Sequence, residues 1–295
     1  MGQVEENNKN IVKHLESLLP KPGNLETGIP GLTLFRINES FVRVPMTYHP
    51  RIILMAQGSK RVFLGEDTFS YDPSQYLVLS VPIPLECDAV ADENKPILGF
   101  AIDVDPQEVA EILLLSDDTK YSGETIPRGI YGASVSKEIS NASLRLIQSL
   151  FSKTDLRVLG KSIVREIIYR VLIGENGETL QALAHRNRKF FQIAQILNRI
   201  HKEYAEEFDI NELAFSAGMS TSNFHNCFKT VTNTSPLQYI KAVRLQKARS
   251  LMLTEGTNAI TAAQKVGYES PSQFSREYKR YFGVSPAKDQ VQLAI

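Results

Sequence analysis

Nine polar side chains near the C-terminus fall at spacings that gather them into two short sets. Ser222, His225, Asn226 and Lys229 form the first; Ser272, Gln273, Ser275, Arg276 and Lys279 form the second. Their chemistry is hydrogen bonding rather than bond making. Asn can pair bidentately with adenine and Arg with guanine in a DNA major groove. Lys more often finds a phosphate, which positions without specifying. At i, i+3, i+4 and i+7, Ser222 to Lys229 share one face of a helix, and so do Ser272, Ser275, Arg276 and Lys279.

Such a face needs a helix whose other side is buried. In the second set Ser270 suits an N-cap, Pro271 the first helical position and Gln273 the return arm of a capping box. Phe274, Tyr278 and Tyr281 supply the apolar stripe. Upstream, small Ala263 lets a preceding helix cross closely, and Gly267 permits the positive φ of a tight turn. The first set repeats this logic with Ser220 as cap, Phe224 and Phe228 facing inward, and Ala214 and Gly218 upstream. Phe224 and Phe274, Phe228 and Tyr278, Lys229 and Lys279, and Pro236 and Pro286 are each 50 residues apart. One such hairpin is ordinary helical packing. Two in register, at about 210–231 and 259–281, predict tandem helix-turn-helix units that read double-stranded DNA.

The segment from about Ile193 to Ala287 resembles the AraC/XylS-type transcription regulators. The residues that carry the likeness include Ala214 and Gly218, Phe228-Lys229, Ser235-Pro236, Arg244-Leu245, Val266-Gly267-Tyr268, Phe274-Ser275-Arg276 and Phe282-Gly283-Val284-Ser285-Pro286. The resemblance implies seven helices. A long one, about Pro236 to Leu253, joins the two units and is amphipathic through Tyr239, Ile240, Val243 and Met252. The second helix of each unit then enters one of two adjacent major grooves. Lys241 and Arg244 on the connecting helix are candidates for phosphate contacts or for supporting packing. Asn233 stands where the family often has Gly, and Asn is the next best residue for a left-handed turn. Ala259 and Ala262 replace larger aliphatics. Asn226 and Ser272 stand where larger readers are frequent, so the operator does not carry over from relatives.

The chain has 295 residues, long for one core, with 42% apolar and 22% charged residues, an ordinary globular composition. Its net charge is zero, but the charge is split. From Arg186 onward there are 15 Lys/Arg against 9 Asp/Glu; before it, 18 against 24. The basic half is the one with the repeats, as phosphate binding requires, and its acidic run Glu203 to Asp209 should face away from DNA. Cys87 and Cys227 lie one in each half, so no intrachain disulfide is expected and a reducing bacterial cytoplasm fits. No apolar run is long enough for a membrane span, and the polar start lacks the form of a signal peptide.

Residues 25–104 read as short strands, for example Phe41–Val44, Ile52–Ala56, Arg61–Leu64, Tyr76–Val81, Leu85–Val90 and Ile97–Val104. Hairpins are expected near Gly58 and near Glu66, in a small barrel or jelly roll. This half resembles the N-terminal domain of one AraC-type subgroup over about residues 25–172. The likeness rests on Tyr48-His49-Pro50, Gln57-Gly58-Ser59-Lys60-Arg61-Val62, Tyr71-Asp72, Ser80-Val81-Pro82 and Arg165-Glu166-Ile167-Ile168-Tyr169-Arg170. It implies a cupin-like barrel that receives a signal. The barrel region holds one histidine, His49, whereas the usual cupin metal centre takes two or three and a Glu, so no metal or cofactor is expected. His49, Phe63, Tyr76 and Cys87, with Tyr71, are candidates to line an effector pocket; the alternative for each is a purely structural place. Amphipathic helices follow at 134–151 and 156–173, suited to a partner subunit or to the barrel.

The expected fold is α+β: an N-terminal arm (1–24) with a short helix at Ile11–Leu19, a cupin-like sensor or dimerisation domain with following helices (25–174), a linker (175–187) and an all-α DNA-binding domain (188–295). The expected function is a cytoplasmic, sequence-specific transcription regulator that is not an enzyme. Its expected partners are double-stranded DNA, a small-molecule effector, RNA polymerase and a second copy of the chain, with no membrane. The alternatives are a cupin enzyme with a DNA-binding tail and a ligand-independent dimeric regulator.

Overall fold

The computed structural model describes residues 2–116, 125–184 and 189–292. The chain opens with α1 (Gln3–Leu18), then β1 (Gly23–Glu26), β2 (Leu32–Ile37), β3 (Phe41–Tyr48), β4 (Arg51–Gln57), β5 (Ser59–Leu64), β6 (Asp67–Tyr71), β7 (Gln75–Leu79), β8 (Ile83–Val90) and β9 (Ile97–Asp103). After α2 (Pro106–Leu114) and β10 (Ile130–Ser134) the rest is helical: α3 (Lys137–Ser149), α4 (Lys153–Ile173), α5 (Glu178–Gln181), α6 (Lys189–Lys202), α7 (Ile210–Ser216), α8 (Thr221–Thr232), α9 (Pro236–Thr254), α10 (Ala259–Lys265), α11 (Pro271–Phe282) and α12 (Pro286–Gln292). The expected α+β class holds, and from Lys189 onward the described residues form the seven expected helices.

Among the described residues, ten antiparallel strands make two sheets, in the orders β1-β2-β9-β4-β7-β10 and β3-β8-β5-β6, so the expected cupin-like barrel is an unclosed one, with edges at β1, β10, β3 and β6. Alternation sets which side chains go inside. Along β8, Ile83, Leu85, Cys87 and Ala89 are buried, while Pro84, Glu86 and Asp88 stay half-exposed. The hairpin expected near Glu66 forms, with Leu64 paired to Asp67. The one expected near Gly58 does not. β4 is occupied by β7 and β9, and β5 by β6 and β8, so the chain crosses between sheets at that point. Gly58 turns this corner at φ +81°, where a Cβ would stand 2.7 Å from Ile97 Cγ1.

The expected arm is a docked helix. Ile11, Leu15 and Leu19 are buried, each contributing about 1.5–3 kcal/mol. Asn7 Nδ2 donates to Asn141 Oδ1 at 2.7 Å and Asn8 Nδ2 to the Ala56 carbonyl at 2.7 Å. Periodicity located the apolar turn at Ile11 but not the polar contacts that extend the helix back to Gln3. The expected linker also differs over its described part: Thr179 to Leu183 are buried, and Gln181 Nε2 donates to the Leu172 carbonyl at 2.8 Å. Residues 185–187 of it lie outside the described residues.

Two apolar cores emerge. The larger runs from α1 through both sheets and α3–α6 into the first helix-turn-helix unit, ending at Phe224, Phe228, Tyr239 and Val243. The smaller gathers Leu245, Ala248, Met252, Ala263, Val266, Phe274 and Tyr278 under the second unit. The single helix α9 contributes to both.

Candidate nucleic-acid interface

Helix α8 begins where the Ser220 hydroxyl accepts from the Asn223 amide. It ends at Asn233, whose left-handed φ of 57° closes the helix as a glycine would. Phe224, Cys227, Phe228 and Val231 are buried. Ser222, His225, Asn226 and Lys229 are all exposed. Helix α11 repeats the design. Ser270 accepts from the Gln273 amide, Pro271 opens the helix, and Gly283 closes it at φ +78°. Phe274 and Tyr278 are buried, while Ser272, Gln273, Ser275, Arg276 and Lys279 are exposed.

The structure therefore brings each set onto one outward helix face. One local expectation fails: Gln273 does not complete a capping box. Its Nε2 donates instead to Glu277 Oε1 at 3.3 Å. Glu277 also receives Lys241 Nζ at 2.8 Å and the Tyr268 hydroxyl at 2.8 Å. Burial pushes the Glu277 carboxyl up, but these three hydrogen bonds outweigh it and hold the group below the usual carboxylate range.

Lys241 and Arg244 both spend their donors within the chain. Lys241 ties α9 to α11 through Glu277. The Arg244 guanidinium donates to the carbonyls of Tyr204 at 2.8 Å, Glu206 at 2.7 Å and Gly267 at 3.2 Å. It binds α9 to the loop before α7 and to the turn of the second unit. Arg249 and the Tyr278 hydroxyl meet on Asp289, at 2.8 and 2.6 Å. Glu277 and Asp289 were not singled out from sequence. Glu277 lies on α11 four residues beyond Gln273 and three beyond Phe274, between the polar and apolar stripes, where a buried ion pair is not visible from spacing.

Of the five effector-pocket candidates, Tyr71 and Cys87 share one interior, and His49, Phe63 and Tyr76 lie apart from them. Phe63 is on the outer phase of β5, with the Arg43 guanidinium 4.2 Å over its ring. Tyr76 is buried, with its hydroxyl directed at the Gly174 turn after α4. His49 is at the rim of a cleft of about 420 Å³ between β3 and α9, whose lining includes Met46, His201, Gln246 and Lys247. Burial, with the charges of Arg51 and Lys247, lowers its pKa. Cys87 and Tyr71 face the barrel interior. Burial pushes the Cys87 thiol up, against the opposing pull of Lys60 and Tyr48. Tyr48 and Lys60, neither of them a pocket candidate from sequence, join these two there. Sequence carried a signal for this: Lys60 occupies the same phase of β5 as Val62 and Leu64, a charge on an apolar face. Among the described residues no group of three or more His, Cys, Asp and Glu could hold a metal ion, and no helix is long and apolar enough to cross a membrane.

Comparison with known proteins agrees with this layout. The family profile described as the AraC-type transcriptional regulator N-terminus matches residues 28–179, and one for a helix-turn-helix domain matches residues 213–290. An uncharacterised HTH-type transcriptional regulator, YdeC of Bacillus subtilis, is 26% identical over 150 residues, 51% of each chain. The HTH-type transcriptional regulator AlkR of Acinetobacter baylyi is 34% identical over 95 residues, 32% of this chain and 31% of that protein. The chain thus spans about half or less of the length of the curated relatives it matches. ToxT from Vibrio cholerae O395 shares the fold, with a TM-score of 0.57 at 11% identity, over 89% of this chain and 97% of that one. A structure of ToxT from strain SCE256 with an unsaturated fatty acid bound gives 0.54 at 10% identity, over 92% and 97%.

Proposed function

The chain belongs to the AraC-type transcriptional regulators, and from that premise we propose that it binds double-stranded DNA sequence-selectively through α8 and α11. The observation that carries this reading is the pair of capped helices 50 residues apart, each with aromatic residues buried beneath an exposed polar stripe. Ser222, His225, Asn226, Ser272, Gln273, Ser275 and Arg276 face base edges, with Arg276 suited to guanine and Asn226 to adenine. Lys229 and Lys279 take phosphates. The two helices enter successive major grooves about 34 Å apart along one face of the duplex. Helix α9 sets their separation, held by the Lys241–Glu277 and Arg249–Asp289 pairs.

The N-terminal half acts as the regulatory part and answers to a small-molecule effector. A fatty acid occupies the ToxT structure named above, and the barrel of this chain carries its own buried polar cluster. The reading places the protein in the cytoplasm, with a second copy of the chain and RNA polymerase as partners and no catalytic step. Selection of bound fragments from a random duplex pool by the full chain tests the DNA reading. Enrichment of a common site is expected. Equal retention of all sequences would overturn it.

A further inference from the structure

Lys60 is an uncommon residue to find inside a barrel. It is 9% exposed, and its Nζ donates to the Tyr48 hydroxyl at 3.0 Å. Among the described residues no carboxylate lies within ion-pair distance of it, because Glu86 and Asp88 point outward to Arg43 and Arg61. Phe41, Ala89, Lys60 and Tyr71 stand in one cross-strand row. The Tyr71 hydroxyl is buried beside that of Tyr48 and interacts with it, without reaching full hydrogen-bond geometry. A buried cation without a counter-charge and a buried hydroxyl short of a well-formed hydrogen bond are each costly. Here they are neighbours.

We infer that the barrel interior binds an organic carboxylate whose head group bridges Lys60 Nζ and Tyr71 Oη. The donor set fits that class. One ammonium neutralises one negative charge, and two donors serve two oxygens. A phosphate dianion would leave a charge and further oxygens unserved. Burial lowers the Lys60 pKa, opposed only weakly by the Cys87 thiol, and an arriving carboxylate reverses that effect. Burial raises the Tyr71 pKa and keeps it a donor.

The apolar remainder of the ligand has a way in. β3 is an edge strand, and its inward residues Val44, Met46 and Tyr48 are only half-buried, whereas Val62 and Cys87 beside them are fully buried. The barrel is therefore looser along β3. Met46 packs its Sδ against Cys87 Sγ and also lines the cleft of about 420 Å³ toward α9. In this proposal the tail runs from Lys60 along β3, past Met46, toward that cleft.

This assignment deepens the effector reading of the N-terminal half, and its test uses no DNA, so its failure leaves DNA recognition untouched. The full chain is titrated with hexanoate, hexanol, chloride and inorganic phosphate, by calorimetry and by thermal shift. Hexanoate is expected to bind and stabilise, and hexanol, chloride and phosphate are not. Lys60→Met is expected to weaken hexanoate by about tenfold or more, the scale of one lost charge-assisted hydrogen bond. Without ligand this variant should be at least as stable as the parent, since it removes an uncompensated charge. Should Lys60→Met not fold, Tyr71→Phe removes only a hydroxyl that lacks a well-formed hydrogen bond and should keep the fold while weakening hexanoate severalfold. The inference is overturned if the parent does not bind hexanoate, if hexanol binds as well, or if phosphate or chloride alone stabilises. It is equally overturned if neither folded variant weakens hexanoate.

Discussion

Arg276 and Lys229 offer similar charge on similar helices, but the proposed interface gives them different work. Arg276 is exposed on α11 and appears in no ion pair among the described residues, so its planar fork is available to a base edge. Arg276→Ala should cost about 1–3 kcal/mol on the preferred site and relax preference at one base position, read by binding to a panel of single-base variants. Lys229→Ala should weaken all sequences alike and reduce the salt slope by about one, read by titrations at several ionic strengths. Lys241 looks equivalent in sequence, yet its ammonium is held by Glu277 at 2.8 Å with both side chains largely shielded. Lys241→Ala should lower the melting temperature and leave the salt slope unchanged. A fall in slope equal to that of Lys229→Ala would return Lys241 to the phosphate contacts.

Each recognition helix depends on its ends. Ser270 caps α11 with a single accepted bond, and Gln273 returns none. Ser270→Ala should therefore cost about 1 kcal/mol, and Ser220→Ala about the same for α8, both measured by urea unfolding. The two helix-turn-helix units were legible because caps, glycine turns and aromatic stripes are local and occur twice. The strands from Phe41 to Val104 were legible from alternation alone. Sheet membership was not. A turn residue such as Gly58 reads the same whether it closes a hairpin or carries the chain to the other sheet, and only the partners of β4 decide. The β1 and β2 strands were not delimited within the stretch read as β, and β10 was missed outright, for related reasons. Gly23–Glu26 is exposed throughout, and Ile130–Ser134 lies far in sequence from β7, its partner. Alternation placed Lys60 on an inward phase, but its lack of a counter-charge is a fact of three-dimensional neighbours.

At the scale of the whole molecule, the first helix-turn-helix unit is built into the core of the N-terminal sheets, and the second hangs from α9 on a core of its own. The joint runs through named bonds. The Gly129 amide donates to the Val231 carbonyl at 3.0 Å, Asn233 Nδ2 to the Leu64 carbonyl at 2.7 Å, and the Tyr239 hydroxyl to the Pro82 carbonyl at 2.6 Å. His201 Nε2 lies 2.9 Å from the Tyr239 oxygen. Because the one Tyr239 proton is given to Pro82, Nε2 must carry the hydrogen of this contact, which assigns the neutral Nε2–H tautomer. Nδ1 is then the unprotonated nitrogen, buried and without a partner. A proton added there would find no acceptor, with His49 and Lys247 facing the same ring. Burial first, then the charges of His49 and Lys247, lower the His201 pKa from 6.5 to about 4. The sign follows: once the joint opens, the imidazole regains its ordinary pKa and takes a proton that the closed form refuses. The closed joint is thus fully stable above about pH 6.5 and loses stability as pH falls toward 4, by up to about 3 kcal/mol from this group. Urea unfolding of the full chain across that range should show the loss, and His201→Gln, which keeps a donor to Tyr239 but cannot titrate, should flatten it. An equally steep fall in the variant would move the acid sensitivity to His49, whose pKa is lowered in the same sense.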